Sequence, residues 1–300
     1  MHHNRNKIRE GSPIATAIIY IIITLICLTT LYPVYYVFIL SISEPSAAAT
    51  MKVYLFPKGF ALDAYTMLAR DLKMWRAYAN TIFYAGATTI LMLVTCILAA
   101  YPLTYKGLAG RKYINMFLLI PMYFSGGMIP SFLLITKLGI YNNPLSQILP
   151  VCFSIWNIIL VKAFFSSIPE SLREAAKVDG ANVYQILIKI YLPMSSSILA
   201  VIAVYTIVGI WNSWFNALVY LPKLDWQPLQ LYLRRVLVEN SLNPAQVLDP
   251  ATAREMALRQ MSNAQLKYAM IIFTTLPILF TYPFFQKYFV KGIMLGSLKE

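Results

Sequence analysis

Long apolar runs separated by short polar stretches predict a chain that crosses a membrane several times. The first run, Ile14–Ser41, contains no charged residue. About 20 apolar residues are enough to cross the hydrocarbon core of a bilayer as an α-helix. The apolar runs predict six such spans, at Ile14–Ser41, Ala79–Tyr105, Tyr113–Ile135, Leu145–Phe165, Met194–Tyr220 and Tyr268–Phe285. The expected fold class is therefore all-α, a polytopic membrane protein with six transmembrane helices.

The third predicted span contains residues that disrupt a helix. Gly126 and Gly127 stand together between Pro121 and Pro130. Proline removes a helical hydrogen bond, and glycine is a weak helix former. We expect a broken helix here, and two explanations remain open: a kink that serves packing, or a hinge that lines a transport pathway.

Two polar segments between the spans are long enough to carry structure of their own. The longer one, Lys223–Lys267, is expected to hold short helices near Pro228–Val238 and Ala251–Met261. The other, Ser167–Pro193, is dense in signals for helix ends and turns. These segments are the places where the chain can meet partners outside the membrane.

Local signals in Ser167–Pro193 predict two short helices joined by a tight turn. Glu170 lies in the first turn of the first helix, where a negative charge is favourable. Gly180 ends that helix, since glycine adopts the left-handed cap conformation at little steric cost. Asn182 and Gln185 have the spacing of a capping box at the start of the second helix, and Pro193 is expected to close it. Taken alone, these signals fit an ordinary capped loop as well as a protein-binding element.

Composition and charge narrow the class of protein. Hydrophobic residues make up 59% of the chain and charged residues 12%, which is too apolar for a soluble surface. The net charge is +13, but Lys and Arg flank the spans and form no long basic run. This distribution fits anionic lipid head groups better than nucleic acid. Cys27, Cys96 and Cys152 fall inside apolar spans, where we expect small buried hydrophobic groups rather than metal ligands.

The orientation of the spans depends on the short loops. With the N-terminus inside, the inside segments hold 13 Lys and Arg, while the outside segments hold 12, against 7 Asp and Glu. The positive-inside rule gives most weight to short loops. Arg5–Arg9 and Lys106–Lys112 are dense in positive charge, whereas the loop at Lys137 has one such residue. Both termini are therefore expected on the cytoplasmic side. The outside excess of positive charge permits an acidic solute, but contact with lipid or with a partner protein explains it equally well.

Motifs for catalysis and ion coupling are absent from the sequence. It contains no His-Glu-x-x-His, no Gly-x-Ser-x-Gly and no Gly-x-x-x-x-Gly-Lys-Ser/Thr loop. No predicted span has Asp, Glu or Arg near its middle, where proton relays and ion-coupled carriers need them. A membrane enzyme and an ion-coupled secondary carrier are therefore the less favoured functions. Because the chain also lacks an ATP-binding loop, any ATP hydrolysis would have to come from another chain.

Polar and aromatic groups inside the predicted spans are the candidates for a solute pathway, because facing lipid would be costly for them. Amides can hydrogen-bond to a polar solute, and aromatic rings can pack against its apolar parts. The candidates are Asn80, Tyr84, Trp156, Asn157, Trp211, Asn212 and Asn216. For each of them the alternative is a role in helix packing or as an anchor at the membrane interface.

Three submotifs in the polar segment resemble the EAA signature of permease subunits of ABC importers. They are Glu174-Ala175-Ala176, Asp179-Gly180-Ala181 and Ile190-x-Leu192-Pro193. Motifs elsewhere are similar to the maltose-type oligosaccharide branch of these permeases, and within it to the LplC-like subgroup. They include Asn80-Thr81, Ala100-Tyr101-Pro102-Leu103, Gly126-Gly127-Met128-Ile129-Pro130, Asn142-Asn143-Pro144, Phe164-Phe165, Trp211-Asn212, Pro228-Leu229-Gln230 and Tyr288-Phe289-Val290-Lys291-Gly292.

The resemblance implies a subunit of an ATP-driven importer in the bacterial cytoplasmic (inner) membrane. Residues 1–13 would be a cytoplasmic N-terminus. Residues 14–300 would form the MetI-like permease domain, with coupling helices at 168–192 and an extracellular loop at 221–267. Contact with the ATPase is expected from Glu174, Ala175, Ala176, Asp179, Gly180, Ala181 and Pro193.

The resemblance also implies a set of partners. A second, homologous permease would complete the pathway as a heterodimer, and two ATPase subunits would bind ATP and Mg, so this chain would bind no cofactor itself. An extracellular lipoprotein-type binding protein would deliver an oligosaccharide, and the loop 221–267 is a candidate contact for it. An importer of this type for a solute that is not a sugar is the alternative.

Overall fold

The computed structural model describes residues 13–239 and 263–280, and this part of the chain is built of helices. Within it, extended backbone pairs only as an isolated antiparallel bridge between Ser43 and Phe60. The all-α prediction is confirmed for these residues. The helices are α1 Pro13–Ser41, α2 Pro45–Thr50, α3 Asp63–Arg70, α4 Leu72–Ala100, α5 Arg111–Tyr123, α6 Met128–Lys137, α7 Leu145–Ile148, α8 Ile155–Ser166, α9 Glu170–Val178, α10 Val183–Ile186, α11 Leu192–Met194, α12 Ser196–Trp211, α13 Phe215–Tyr220, α14 Leu229–Glu239 and α15 263–280.

Among the described residues, two helical stretches are long and apolar enough to cross a membrane unbroken. They are Ile14–Ser41, within α1, and Leu72–Thr104, in which a short 3₁₀ turn follows α4. Two bent pairs raise the number to as many as four: α5 with α6, and Val183–Met194 with α12. The sixth predicted span corresponds to α15 up to residue 280. Its remainder, to Phe285, and the predicted helix Ala251–Met261 lie outside the described residues.

One compact unit comprises residues 1–70 and 239–273. Its longest helix, α1, has exposed side chains from Ile14 to Tyr35, nearly all of them apolar. Only the C-terminal end of α1 is packed, where Leu40 lies in an apolar cluster with Tyr268. There the side-chain amide of Gln265 also donates to the Ser41 carbonyl at 3.3 Å. The exposed apolar length of α1 is suited to a membrane environment.

The second compact unit comprises residues 71–238 and 274–300, and α4 lies at its centre. α8 and α12 both pack against α4. Their shared core includes Cys96 of α4, Val161 and Phe165 of α8, and Ile202 of α12, each at most 1% exposed. The burial of Cys96 agrees with its expected role as a small apolar group, and both candidate sites described below belong to this unit.

The second span begins at Leu72 rather than at the predicted Ala79. Asp71 explains the earlier start, because its carboxylate accepts hydrogen bonds from the backbone N–H groups of Lys73 at 2.9 Å and Met74 at 3.3 Å. Aspartate is among the most favourable N-caps. The polar residues from Asp71 to Tyr78 therefore belong to the first two turns of α4 and not to a loop.

The third span is broken, as predicted, and the break is large. α5 and α6 meet at an angle of 114° across Phe124–Gly127. Gly127 has a φ of 84°, a value that side chains other than glycine rarely adopt. A proline kink that serves packing is far smaller than this angle, so the glycines, more than Pro121, account for the change of direction.

The fourth and fifth spans are interrupted where continuous helices were predicted. In the fourth, only α7 and α8 are helical, and Ser154 begins α8 by accepting a hydrogen bond from the Asn157 N–H at 3.4 Å. The fifth consists of α12 and α13, separated at Asn212–Trp214. Interrupted helices at membrane depth are tolerated where they are buried in protein or line a cavity.

Pro193 does not close its helix, contrary to the sequence prediction. α10 continues through a π-helical turn at Leu187–Tyr191 into α11, where Pro193 occupies the first turn. The ring of Pro193 removes one N–H from the hydrogen-bond ladder of this continuous run, and the π-helical turn directly before it is where the spacing of that ladder changes. The chain changes direction only afterwards, by 75° between Val183–Met194 and α12.

Candidate functional site

The predicted helix–turn–helix between the fourth and fifth spans is confirmed. α9 ends at Asp179, and Gly180 follows in the left-handed conformation with a φ of 78°. The N–H of Gly180 donates to the Lys177 carbonyl at 3.0 Å, and that of Ala181 to the Ala176 carbonyl at 2.9 Å. This pair of bonds is the Schellman motif, which satisfies the last carbonyls of a helix. The glycine therefore has the capping role that the sequence predicts.

The second helix of this element starts with the predicted capping box. The Asn182 side chain accepts a hydrogen bond from the Gln185 N–H at 2.9 Å. The Gln185 side chain accepts one from the Asn182 N–H at 2.8 Å. Both ends of the turn are thus fixed by local hydrogen bonds, so its shape depends little on the rest of the protein.

The tip of this helix–turn–helix is exposed and partly apolar. Val178 is 88% exposed and Tyr184 is 73% exposed. The carboxylates of Glu174 and Asp179 are exposed beside them. An apolar patch bordered by charges is typical of a surface that contacts another protein. We call the segment 168–192, with this tip, the coupling segment.

The opposite face of the coupling segment is packed on the core of the unit. Ile186 and Tyr191 are 1% and 2% exposed, and Ala176 and Ala181 pack partly buried against the same cluster. The Tyr101 hydroxyl, at the end of α4, donates to the Val183 carbonyl at 3.2 Å. Of the residues expected to contact an ATPase, Glu174, Ala175, Asp179, Gly180 and Pro193 are exposed, whereas Ala176 and Ala181 are half-buried and serve packing.

An ion network, which sequence analysis did not detect, ties the coupling segment to the loop before α5. Glu170 bonds Lys106 at 2.9 Å and also contacts Arg173. The hydrogen bond from Lys106 is the main cause that lowers the pKa of Glu170. Arg173 is 8% exposed, and its guanidinium lies 4.6 Å from the centroid of the Tyr105 ring. The spacing of Glu170 and Arg173 on a helix was the available signal, but Lys106 is distant in sequence.

Two of the predicted pathway residues hold a loop in place. The side-chain amide of Asn80 donates to the carbonyls of Asp225 at 2.8 Å and Gln227 at 3.1 Å. The hydroxyl of Tyr84, a residue only 1% exposed, donates to the Trp226 carbonyl at 2.7 Å. These hydrogen bonds fasten the segment before α14 to α4, which is the structural role stated as the alternative in the sequence analysis.

Trp211 is buried and Asn212 is exposed, but the polar groups of both side chains bond to main-chain carbonyls. Trp211 is 6% exposed, its indole N–H donates to the Thr274 carbonyl at 3.1 Å, and its ring packs edge-on against Tyr78. The Asn212 amide donates to the Val208 carbonyl of its own helix at 2.9 Å. Trp211 therefore has its polar atom satisfied and its ring buried, as expected of a packing residue.

A cavity of about 280 Å³ lies between α4, α8 and the end of α12. Of the predicted pathway residues, only Asn157 lines this cavity. Trp156, the residue before Asn157, is exposed, and Asn216 is half-buried on α13. The structure adds hydroxyl groups that sequence analysis missed, from Ser154, Tyr205 and Ser213. Tyr205 was detectable as an aromatic residue in mid-span. Ser154 and Ser213 lie at helix breaks that the apolar pattern did not reveal.

The cavity offers neutral hydrogen-bonding groups and no acid–base chemistry. Its polar lining consists of one amide and several hydroxyls, with Met92 and Ile210 supplying apolar walls. Among the described residues, no three His, Cys, Asp or Glu side chains are grouped so that they could hold a metal ion. Groups of this kind can bind the hydroxyls of a passing solute without transforming it.

These features define a class: a helical membrane protein with interrupted spans, an open cavity between helices that carries a few polar groups, and a capped surface element carrying the EAA signature. Residues 92–295 match the family of binding-protein-dependent transport system inner membrane components. The chain belongs to this family, the permease subunits of ABC importers.

Relatives and solved structures agree with the assignment. The chain is 35% identical to Protein LplC of Bacillus subtilis (strain 168), over 90% of each sequence. It is 32% identical to the polygalacturonan/rhamnogalacturonan transport system permease protein YtcP of the same organism, over 94% of this chain and 97% of YtcP. A chain of a bacterial ABC transporter that imports the acidic polysaccharide alginate superposes with a TM-score of 0.81 at 33% identity, covering 92% of this chain and 96% of that one.

Proposed function

We propose that this chain forms one half of a membrane pathway that imports an acidic oligosaccharide. Two relatives at 32% and 33% identity over nearly the whole chain are named for polygalacturonan/rhamnogalacturonan and for alginate, which are both acidic. The excess of Lys and Arg in the segments expected outside agrees with such a solute. Ser154, Asn157, Tyr205 and Ser213 supply the neutral hydrogen-bonding groups that sugar hydroxyls require.

The proposed complex has the partners implied by the family. A second, homologous permease completes the pathway, and an extracellular binding protein delivers the oligosaccharide. Two ATPase subunits on the cytoplasmic side contain the ATP and Mg, and one of them binds the coupling segment, so this chain carries no cofactor and hydrolyses nothing. The N- and C-termini are then cytoplasmic, and the loop 221–267 is extracellular.

The observation that carries the coupling role is the combination of a rigid frame with an exposed tip. The Schellman motif at Gly180 and the capping box at Asn182 fix the turn. Tyr184 and Val178 nevertheless remain exposed, although burial of such side chains is worth about 1.5–3 kcal/mol each. A groove on an ATPase would cover them, and closure of the two ATPases would then move the helices to which the segment is anchored.

Charge reversal at the tip tests the coupling role. Glu174→Lys is expected to weaken co-purification of the ATPase with the permease by roughly tenfold, because the charge lies in the proposed contact. Asp63→Lys is the matched control, since Asp63 is also exposed but lies on α3, in the segment expected outside. Equal recovery of the ATPase with both variants would count against the coupling segment as the docking element.

The nature of the solute is tested separately with reconstituted complexes. Uptake of tetragalacturonate into proteoliposomes should exceed that of the neutral maltotetraose when each is presented with the cognate binding protein. Preference for the neutral sugar would overturn the acidic specificity but leave the coupling role intact. Uptake of neither sugar, together with transport of a solute that is not a sugar, would favour the alternative importer.

A further inference from the structure

An arginine on α14 is stacked on a tryptophan at the break between α12 and α13. The guanidinium carbon of Arg234 lies 4.0 Å from the centroid of the Trp214 ring. Arg234 is exposed and Trp214 is half-buried. Salt bridges among the described residues involve Arg76, Lys106 and Arg173, so no carboxylate in that part of the chain neutralises Arg234.

The helix that carries Arg234 is firmly attached to α4. The N–H of Leu229 donates to the Thr81 hydroxyl at 2.8 Å, and the Tyr232 hydroxyl donates to the Asp71 carboxylate. Leu229 and Leu231 are 0% and 1% exposed. Arg234 is thus presented by a fixed backbone, and its side chain is further oriented by the tryptophan, so little conformational freedom remains to be lost when a ligand binds.

The tryptophan of this pair is adjacent in sequence to the lining of the cavity. Trp214 directly follows Ser213, which lines that cavity together with Asn157 and Tyr205. Sugar hydroxyls can be bound by these neutral groups, but within the cavity lining no side chain is cationic. Arg234, which contacts Trp214, therefore places a positive charge within one residue contact of the cavity lining.

We propose that Arg234, stacked on Trp214, is a specificity-determining residue that binds the carboxylate of a uronate unit as the oligosaccharide enters the cavity. The proposal rests on the proposed function and identifies how its acidic solute is recognised. Stacking uses the face of the guanidinium and leaves N–H groups on its edge, which match the two oxygens of a carboxylate. Partial removal from water by the indole strengthens that ion pair relative to a fully solvated one.

The test uses Arg234→Gln and Arg234→Lys in the complete reconstituted complex, with tetragalacturonate as the probe. Loss of a hydrogen-bonded charge partner should reduce uptake by about tenfold or more in Arg234→Gln. Arg234→Lys keeps the charge but not the planar fork, so it should recover part of the uptake. The matched control is Arg235→Gln, which removes the same charge about 100° away around the helix and should transport like the wild type.

A second readout separates solute recognition from docking of the binding protein. If Arg234 binds the solute, the concentration of binding protein that half-maximally stimulates the ATPase should be the same in Arg234→Gln and the wild type, while uptake falls. A shift in that concentration with unchanged maximal uptake would overturn the proposal in favour of a docking contact. Wild-type uptake by Arg234→Gln, or an equal loss in Arg235→Gln, would also overturn it. A wild type that transports maltotetraose and not tetragalacturonate would instead refute the acidic specificity, and with it this role of Arg234.

Discussion

The coupling segment and the region around the cavity are both marked by sequence motifs, but their motif residues occupy opposite environments. In the coupling segment, Glu174 and Gly180 lie at the surface, and the turn is held by hydrogen bonds among near neighbours in sequence. In the spans around the cavity, although not in its lining, Tyr84 and Trp211 are 1% and 6% exposed and bond to main-chain carbonyls distant in sequence.

The difference follows from the cost of burying polar groups. Inside a bundle of spanning helices a polar atom must find a partner, and other helices and loops are the nearest source. A polar residue within a span is therefore first a structural group, and only those left facing a cavity, such as Asn157, remain available to a solute. At a surface outside the membrane the group that needs a partner is apolar, and exposed side chains such as Val178 are typical of a surface that binds another protein.

The largest effect that tests this contrast is expected from Trp211→Ala. Removing a buried tryptophan leaves a large void and deletes the hydrogen bond to the Thr274 carbonyl, and such truncations typically cost about 3–5 kcal/mol. The yield of assembled complex and its thermal unfolding midpoint should both fall, measured in detergent by size exclusion and a thermal shift assay.

Trp156→Ala is the control for that experiment, because Trp156 is 60% exposed on α8. It should leave the unfolding midpoint close to that of the wild type. If Trp211→Ala assembled normally and lost only uptake, the structural role of Trp211 would be wrong and a place in the pathway would be favoured.

A smaller effect on stability, with a larger one on function, is expected from Gly180→Val. Gly180 has a φ of 78°, and its Cβ position is open space, so the cost arises from backbone conformation and not from a clash. The left-handed conformation costs a residue with a side chain about 1–2 kcal/mol. We expect the turn to change shape and uptake per ATP hydrolysed to fall.

Gly180→Asn provides the comparison, since asparagine tolerates the left-handed conformation better than other residues with side chains. It should retain most of the coupling between hydrolysis and uptake. Full coupling in Gly180→Val would show that the shape of the turn does not matter for docking.

An effect of about 1 kcal/mol is expected from Tyr84→Phe, which removes the hydroxyl that bonds the Trp226 carbonyl. The thermal unfolding midpoint should decrease modestly. Tyr205→Phe removes the same atom from a residue that is 69% exposed at the cavity, so the KM for uptake should rise while the midpoint stays unchanged. If Tyr84→Phe instead raised the KM and Tyr205→Phe lowered the unfolding midpoint, the structural role of Tyr84 and the solute contact of Tyr205 would both be wrong.

Sequence reasoning succeeded where structure is determined locally. The first span was predicted as Ile14–Ser41, and the helix is Pro13–Ser41, because an uninterrupted apolar run leaves a chain in a membrane few alternatives. The turn at Gly180 and the capping box at Asn182 depend on interactions three to five residues apart, so their signals are visible in the sequence.

Sequence reasoning was less successful where contacts between distant parts of the chain determine the structure. The apolar character of the fourth and fifth predicted spans favours continuous helices, yet the helices are interrupted near Ser154 and at Asn212–Trp214, and Pro150 is a local signal of the first break that the prediction overlooked. The partners of Asn80 lie 145 and 147 residues away, so no local pattern distinguishes a loop anchor from a pathway residue. For the same reason the pairing of Lys106 with Glu170 required the structure.

The smallest effect concerns pH and the ion network of the coupling segment. The hydrogen bond from Lys106 lowers the pKa of Glu170 below its usual value of 4.5. A carboxyl group with a lowered pKa in the folded state stabilises the protein fully above its unfolded pKa, and loses that contribution as the pH falls through the folded value. The network should therefore be intact at neutral pH and weaken only as the pH falls below the usual value of 4.5.

The measurement compares the unfolding midpoints of the wild type and Glu170→Gln between neutral pH and pH 4. The difference in unfolding midpoint should be small, because the Glu170 side chain is 42% exposed. Added salt should reduce that difference further. It should stay constant at neutral pH and shrink on acidification. Glu174→Gln is the control, since Glu174 makes no ion pair among the described residues. A difference that grew with acidification would have the wrong sign for a carboxylate stabilised by Lys106, and the coupling segment would then be held by its apolar face alone.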